Sequence, residues 1–184
     1  MDFENKLKEG VELLNENKYK ESLDIAKELQ EQEPDEADAY RLEAMVMQKQ
    51  NQWENSEEAL DNAIECDDTK SNLYNLRGFA RLNQEKLDEA EEDFKKAIEI
   101  DDSAAAHRNL VLHKIMNNDT NEGLTYLLQR IKEDPQDIEN WILMGDLMQR
   151  AGQGDKAKSY YEQAQKMDPE NEYVKKQIEN LENN

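Results

Sequence analysis

The side chains of this chain that could do chemistry are few, and their spacing suits recognition better than catalysis. His107 and His113 stand six residues apart. On a helix that sets them about 120° from one another, too far around to share a metal ion. The carboxylate runs Glu57-Glu58 and Glu89–Asp93 have the composition of helix starts, where negative charge favours the positive end of the backbone dipole. General acid–base work would need a partly buried pair in a cleft, and a solvated face accounts for these runs more simply. Cys66 has no basic neighbour to activate its thiol. Phosphate-cradling glycine loops, GxSxG, HExxH and calcium-loop spacings are all missing from the sequence. We therefore expect no enzyme and no cofactor or metal. What remains is a set of side chains for holding another molecule. Asn75 and Asn109 lie 34 residues apart, and each amide both donates and accepts. Arg41 and Lys49 are cations in an acidic chain, and Met45, Phe79, Leu82 and Met116 are large and apolar.

That interval of 34 is the period of most of the chain. Sliding Gln84–Asp102 back by 34 places Trp53 under Leu87, Ser56 under Ala90, Leu60 under Phe94 and Ala63 under Ala97. Within one period the apolar residues Leu73, Tyr74, Leu76, Phe79 and Leu82 keep helical spacing, and a polar turn follows at Asn83–Lys86. Leu87, Ala90, Phe94, Ala97 and Ile98 then form a second stripe. No stretch alternates apolar and polar residues as a strand would. Each period thus reads as a helical hairpin that cannot bury its apolar face alone and must stack on its neighbours.

The hairpins resemble tetratricopeptide repeats, with a bulky residue at position 4, small ones at 8 and 20, a bulky one at 24, a small one at 27 and often Pro at 32. Trp141, Gly145, Ala157, Tyr161, Ala164 and Pro169 fill those six places in one period; Tyr74, Gly78, Ala90, Phe94 and Ala97 fill five in another. Five repeats are expected, at 3–36, 37–70, 71–104, 105–137 and 138–169, with a capping helix over 170–184 that carries Val174, Ile178 and Leu181 on one side. The first repeat keeps Gly10, Ser22 and Pro34 but reverses the usual sizes at Ala26 and Leu29. The fourth places Leu112 where a small residue belongs and Gly123 opposite it, a swap that roughly keeps volume. The resemblance implies an all-α fold, a right-handed α-solenoid spanning 1–184 as a single array, and a binding scaffold rather than an enzyme.

It also implies that first helices line a concave groove through positions 5, 9 and 12, one stripe of a helix. Here those positions hold Leu7, Arg41, Asn75, Asn109 and Ile142; Val11, Met45, Phe79, His113 and Asp146; and Leu14, Gln48, Leu82, Met116 and Gln149. Only Asp146 is acidic and only Arg41 basic, with Lys49 one place beyond. The expected peptide groove is therefore Arg41, Met45, Lys49, Asn75, Phe79, Leu82, Asn109, His113 and Met116. The cations would meet a carboxylate, the apolar side chains would hold anchors, and the two asparagines would pair with a bound main chain. The alternative is that these residues fill contacts between successive first helices. A carboxylate clamp of the Hsp70/Hsp90 co-chaperone type is not expected, because no register of the repeats supplies its Lys, Asn, Asn, Lys and Arg.

Of the 184 residues 44 are acidic and 23 basic, a net charge of −21. The charge is −6 over 3–36, −6 over 37–70 and −4 over 71–104, but only −1 over 105–137 and −1 over 138–169. Such a field opposes nucleic acid and anionic membranes, and no stretch is apolar enough to span a bilayer. It would steer a basic partner to the N-terminal half, the basis of a second expectation: an assembly adaptor using its acidic convex face, or a regulatory module of a larger complex. A charged N-terminus without an apolar core and a lone Cys66 lead us to expect a cytoplasmic protein. The polar face of the last helix leads us to expect a monomer.

Overall fold

A computed structural model of the chain describes residues 2–183. Among them there are eleven helices and no strand: α1 Phe3–Asn15, α2 Tyr19–Gln32, α3 Ala37–Lys49, α4 Trp53–Cys66, α5 Ser71–Asn83, α6 Leu87–Asp101, α7 Ala104–Met116, α8 Thr120–Glu133, α9 Ile138–Arg150, α10 Gly154–Met167 and α11 Glu172–Glu182. Packing divides them into two compact units, Met1–His113 and Lys114–Asn184.

The turn that folds each hairpin is built the same way five times. Asn17, Asn51, Glu85, Asn118 and Gly152 all adopt a left-handed backbone, with φ between 57° and 71°. The following amide then reaches back five residues, as in Lys18 N to Leu13 O (2.9 Å), Gln52 N to Met47 O (2.9 Å) and Gln153 N to Met148 O (2.9 Å). This is the Schellman closure, which satisfies carbonyls that a helix end leaves without partners. Asn and Gly tolerate the left-handed region, so the sequence marks four of the five turns; Glu85 does not share that tolerance.

Inside a hairpin, two helices approach closely because one of them lacks a side chain at the crossing. A Cβ at Gly78 would lie 2.7 Å from Phe94 Cε1, and one at Gly145 would lie 2.6 Å from Tyr161 Cε1. The glycine therefore forms the seat for the aromatic of the partner helix, and Phe94 and Tyr161 are wholly buried. In the first hairpin Ala26 is too small to fill this seat. A Cβ at Gly10 would instead meet Leu42 Cδ2 at 2.5 Å, from the next hairpin, and Ile25. Ser22 Oγ also donates to Gly10 O at 2.8 Å.

In the first unit α3 lies against α1, α2, α4 and α5. Leu14, Ala26, Leu42 and Val46 form one core cluster, and Ala37, Ala44, Ala59, Leu60, Ala63 and Leu73 form another. In the second unit α9 packs on α8 and α10, and α11 packs on α10. Val174 and Ile178 of α11 are buried. Asn171 caps that helix by accepting from Val174 N at 3.1 Å.

Candidate functional site

The first helices of the first unit bring five of the expected groove residues into a partly exposed row: Arg41 and Met45 on α3, Asn75 and Phe79 on α5, and Asn109 on α7. The two asparagines meet. Asn109 Nδ2 donates to Asn75 Oδ1 at 2.8 Å, which ties α7 to α5 and leaves the Asn75 amide N–H groups and the Asn109 carbonyl for other partners. Gln48, one repeat earlier, donates to the Leu76 carbonyl at 2.9 Å and ties α3 to α5. Arg41 gives Nε–H to Asp38 at 2.7 Å and approaches Met45 Sδ at 3.4 Å. Lys70 also bonds Asp38 at 2.9 Å. Burial opposes ionisation of Asp38, but these two cations outweigh it and hold the carboxyl below its ordinary range. Phe79 meets Trp53 edge-to-face, centroids 5.8 Å apart.

Four expected residues stand elsewhere. Leu82 is 3% exposed and His113 4%, so neither offers surface to a ligand, and both are corrected out of the groove. Leu82 stands in the last turn of α5, where its carbonyl accepts from Glu85 N at 3.1 Å. His113 sits on α7, where Ala106, His107, Leu110 and Val111 are buried as well. A helix that is apolar on several sides carries no periodic signal for which side is open. Neither ring nitrogen of His113 has a hydrogen-bond partner. Lys49 is exposed at the end of α3. Met116, half exposed, belongs to the second unit.

The sequence leads us to expect a solvated face for both carboxylate runs, and the structure corrects this at Asp93 and Glu57. Asp93 is 3% exposed and lies between two arginines of α5. Arg77 grips it through Nε (3.0 Å) and Nη2 (2.7 Å), and Arg81 through Nη1 (2.9 Å). Arg77 also reaches Asp61 at 2.7 Å and stacks over the Tyr74 ring at 5.5 Å. Arg81 reaches Glu57 at 2.9 Å, where Gln84 and Lys86 also converge. Burial alone would raise the Glu57 carboxyl, but Lys86, Arg81 and Gln84 outweigh it and hold it at about 2. This network joins α4, α5 and α6. Two arginines four residues apart on one helix, with an acid 12 residues beyond the second, were its only sequence signal.

Several other titratable groups are held by neighbouring atoms. His107, 6% exposed rather than open to solvent, lies with Nε2 2.7 Å from Asp102 Oδ1. Burial and the Asp35, Glu65 and Glu36 carboxylates push the Cys66 thiol up, and its sulfur contacts the Pro34 carbonyl, so it is a poor nucleophile. In the second unit Asp146 Oδ1 accepts from the phenols of Tyr161 and Tyr173, each at 2.7 Å. Burial and that carboxylate push both phenols up, so they remain donors. Among the described residues no group of three or more His, Cys, Asp or Glu gathers as a metal site would require, and no helix is long and apolar enough to cross a membrane.

Comparison with known proteins matches two segments, residues 71–103 and 138–171, to the tetratricopeptide repeat family. No curated protein matches the chain. Among solved structures, TTC0263 of Thermus thermophilus, a thermophilic tetratricopeptide repeat protein, shares 16% identity over 100% of both chains with a TM-score of 0.84. PilF of Pseudomonas aeruginosa shares 17% over 98% of this chain and 83% of its own, at 0.74. YrrB, described as having an unusual peptide-binding site, shares 15% over 94% and 90%, at 0.62. At these identities the likeness is one of fold. With hairpins closed by one repeated turn, glycine seats under aromatics and a final capping helix, the chain is a tetratricopeptide repeat protein of the all-α solenoid class.

Proposed function

We propose that the chain is a non-enzymatic protein-interaction scaffold that holds an extended peptide or short helix of a partner along the first helices of its first unit. One observation carries this reading. In the unit that bears most of the negative charge, the groove positions contain no carboxylate and present Met45, Asn75, Phe79 and Asn109 partly open. Asn75 and Asn109 use one donor and one acceptor on each other, and the groups left over suit a peptide main chain, which needs both. Met45 and Phe79 offer apolar contact. Arg41, already held by Asp38, would steer an acidic group rather than clamp one. The likeness to YrrB, whose description includes a peptide-binding site, supports the same reading.

A specific observation also favours a second reading, an adaptor that docks a basic partner on the outer helices. A cleft of about 390 Å³ opens over α2, α3 and α4, lined by Tyr40, Asn55, Glu58 and Asn62, and by Glu43, which Lys27 and Gln30 of the same lining already hold. Acid, amide and aromatic together suit an Arg or Lys side chain. Salt separates the two readings. Capture from the native source at low and high ionic strength should lose partners of the acidic face and keep partners held by apolar anchors. The groove reading then requires that Asn75→Ala with Asn109→Ala weaken a salt-resistant partner in a folded protein; unchanged affinity would overturn it.

A further inference from the structure

The second unit contains a cleft of about 420 Å³ that the groove positions do not explain. Its floor is Ile115, Leu124, Leu147 and Met148, between the turn ends of α8 and α9. This volume is at the lower end for ligand pockets, enough for one or two large side chains. The apolar surface continues beyond it. Leu128 lies one turn from Leu124 on the same side of α8 and is 40% exposed. It is one of three large hydrophobic side chains that stand most open among the described residues.

The charge at the rim is opposite in sign to the net charge of the chain. In a chain of net charge −21 no carboxylate lines this cleft, and Arg150 lies at its edge. Arg150 makes no ion pair among the described residues, whereas Arg41, Arg77, Arg81 and Arg130 each do. Thr120 and Asn121 also line the cleft, in the first turn of α8, where Asp119 provides no side-chain cap. An apolar floor beside an unpaired guanidinium and free first-turn amides complements an apolar side chain next to an acid.

We propose that this cleft is a second docking site, separate from the face formed by α3, α5 and α7. It takes a segment of a partner protein in which one or two large apolar side chains stand beside a Glu or Asp. The apolar anchor enters between α8 and α9, and its carboxylate meets Arg150.

The test uses the full chain and a synthetic probe, acetyl-Ser-Leu-Phe-Glu-Ser-amide, followed by amide chemical shifts. Saturable shifts at Leu124, Leu147, Met148 and Arg150 are expected. A probe with Gln for Glu should bind at least about threefold more weakly, as should the Arg150→Glu protein. A probe with Gly-Gly for Leu-Phe should not bind. Asn75→Ala with Asn109→Ala should leave all of this unchanged, so the two sites fail or stand independently. Absent saturation, equal binding of the Glu and Gln probes, or shifts confined to α3 and α5 would each overturn the proposal. Arg150 is exposed, and the comparison of probes on the unaltered chain decides the matter even if a variant misfolds.

Discussion

Asn109 Nδ2 lies 2.8 Å from Asn75 Oδ1, one full repeat apart in sequence and side by side in the fold. The contact does two things. It fastens successive first helices together, and it orients both amides so that one free donor end and one free acceptor end remain. We expect a double-mutant cycle on Asn75→Ala and Asn109→Ala, read by urea unfolding, to give a coupling of about 0.5–1.5 kcal/mol. A coupling near zero would mean that the two amides are solvated separately.

Asp93 is the keystone of the ionic network. Its side chain is buried against Arg77 and Arg81, so removing it leaves two cations partly desolvated. Asp93→Ala should destabilise the fold by about 3–5 kcal/mol in chemical denaturation, the range for breaking a buried pair from one side. Substitution of the exposed Glu92 should change stability by less than about 0.5 kcal/mol.

Acid should expose the same network. Glu57 has an ordinary value of 4.5 and is held at about 2 in the folded chain. A carboxyl lowered by folding contributes stability that is complete above its unfolded value and is lost as pH falls through the folded one. The urea midpoint should therefore hold above about pH 5 and drop between about 4.5 and 2. In Glu57→Gln that drop should be smaller. Equal pH profiles for the two proteins would remove Glu57 from the acid response.

Glu85 occupies a turn position held by Asn in three other hairpins and by Gly in the fifth, with φ 61°. A left-handed backbone costs a residue with a Cβ about 1 kcal/mol, less for Asn and nothing for Gly. Glu85→Asn should raise stability by about 0.5–1 kcal/mol, visible as an upward shift of the thermal midpoint. A decrease would show that the Glu85 side chain makes a contact worth more than the strain.

Hairpins, turns and small-residue crossings were legible in the sequence because they are local. Helical periodicity reports which stripe is apolar, and Asn or Gly at a fixed interval reports where the chain must turn left-handed. Gly78 and Gly145 stood out for the same reason, though only the packed structure shows that each seats the aromatic sixteen residues later, Phe94 and Tyr161, rather than merely facing a small residue. Which side of a first helix remains open was only partly legible. Arg41, Met45, Asn75, Phe79 and Asn109 are partly exposed, while Leu82 and His113 are enclosed. On α7 the apolar residues surround the helix, so periodicity could not choose a face. Long-range electrostatics was barely legible, through the spacing of Arg77, Arg81 and Asp93 alone. A carboxylate in an acidic run looks the same whether water or an arginine of the neighbouring helix covers it, and Asp93 and Glu57 took on their roles only when α4, α5 and α6 packed together. The sequence alone determined what each hairpin is; the tertiary structure decided which charges are buried and which apolar side chains are left open, because both depend on neighbours distant in the chain.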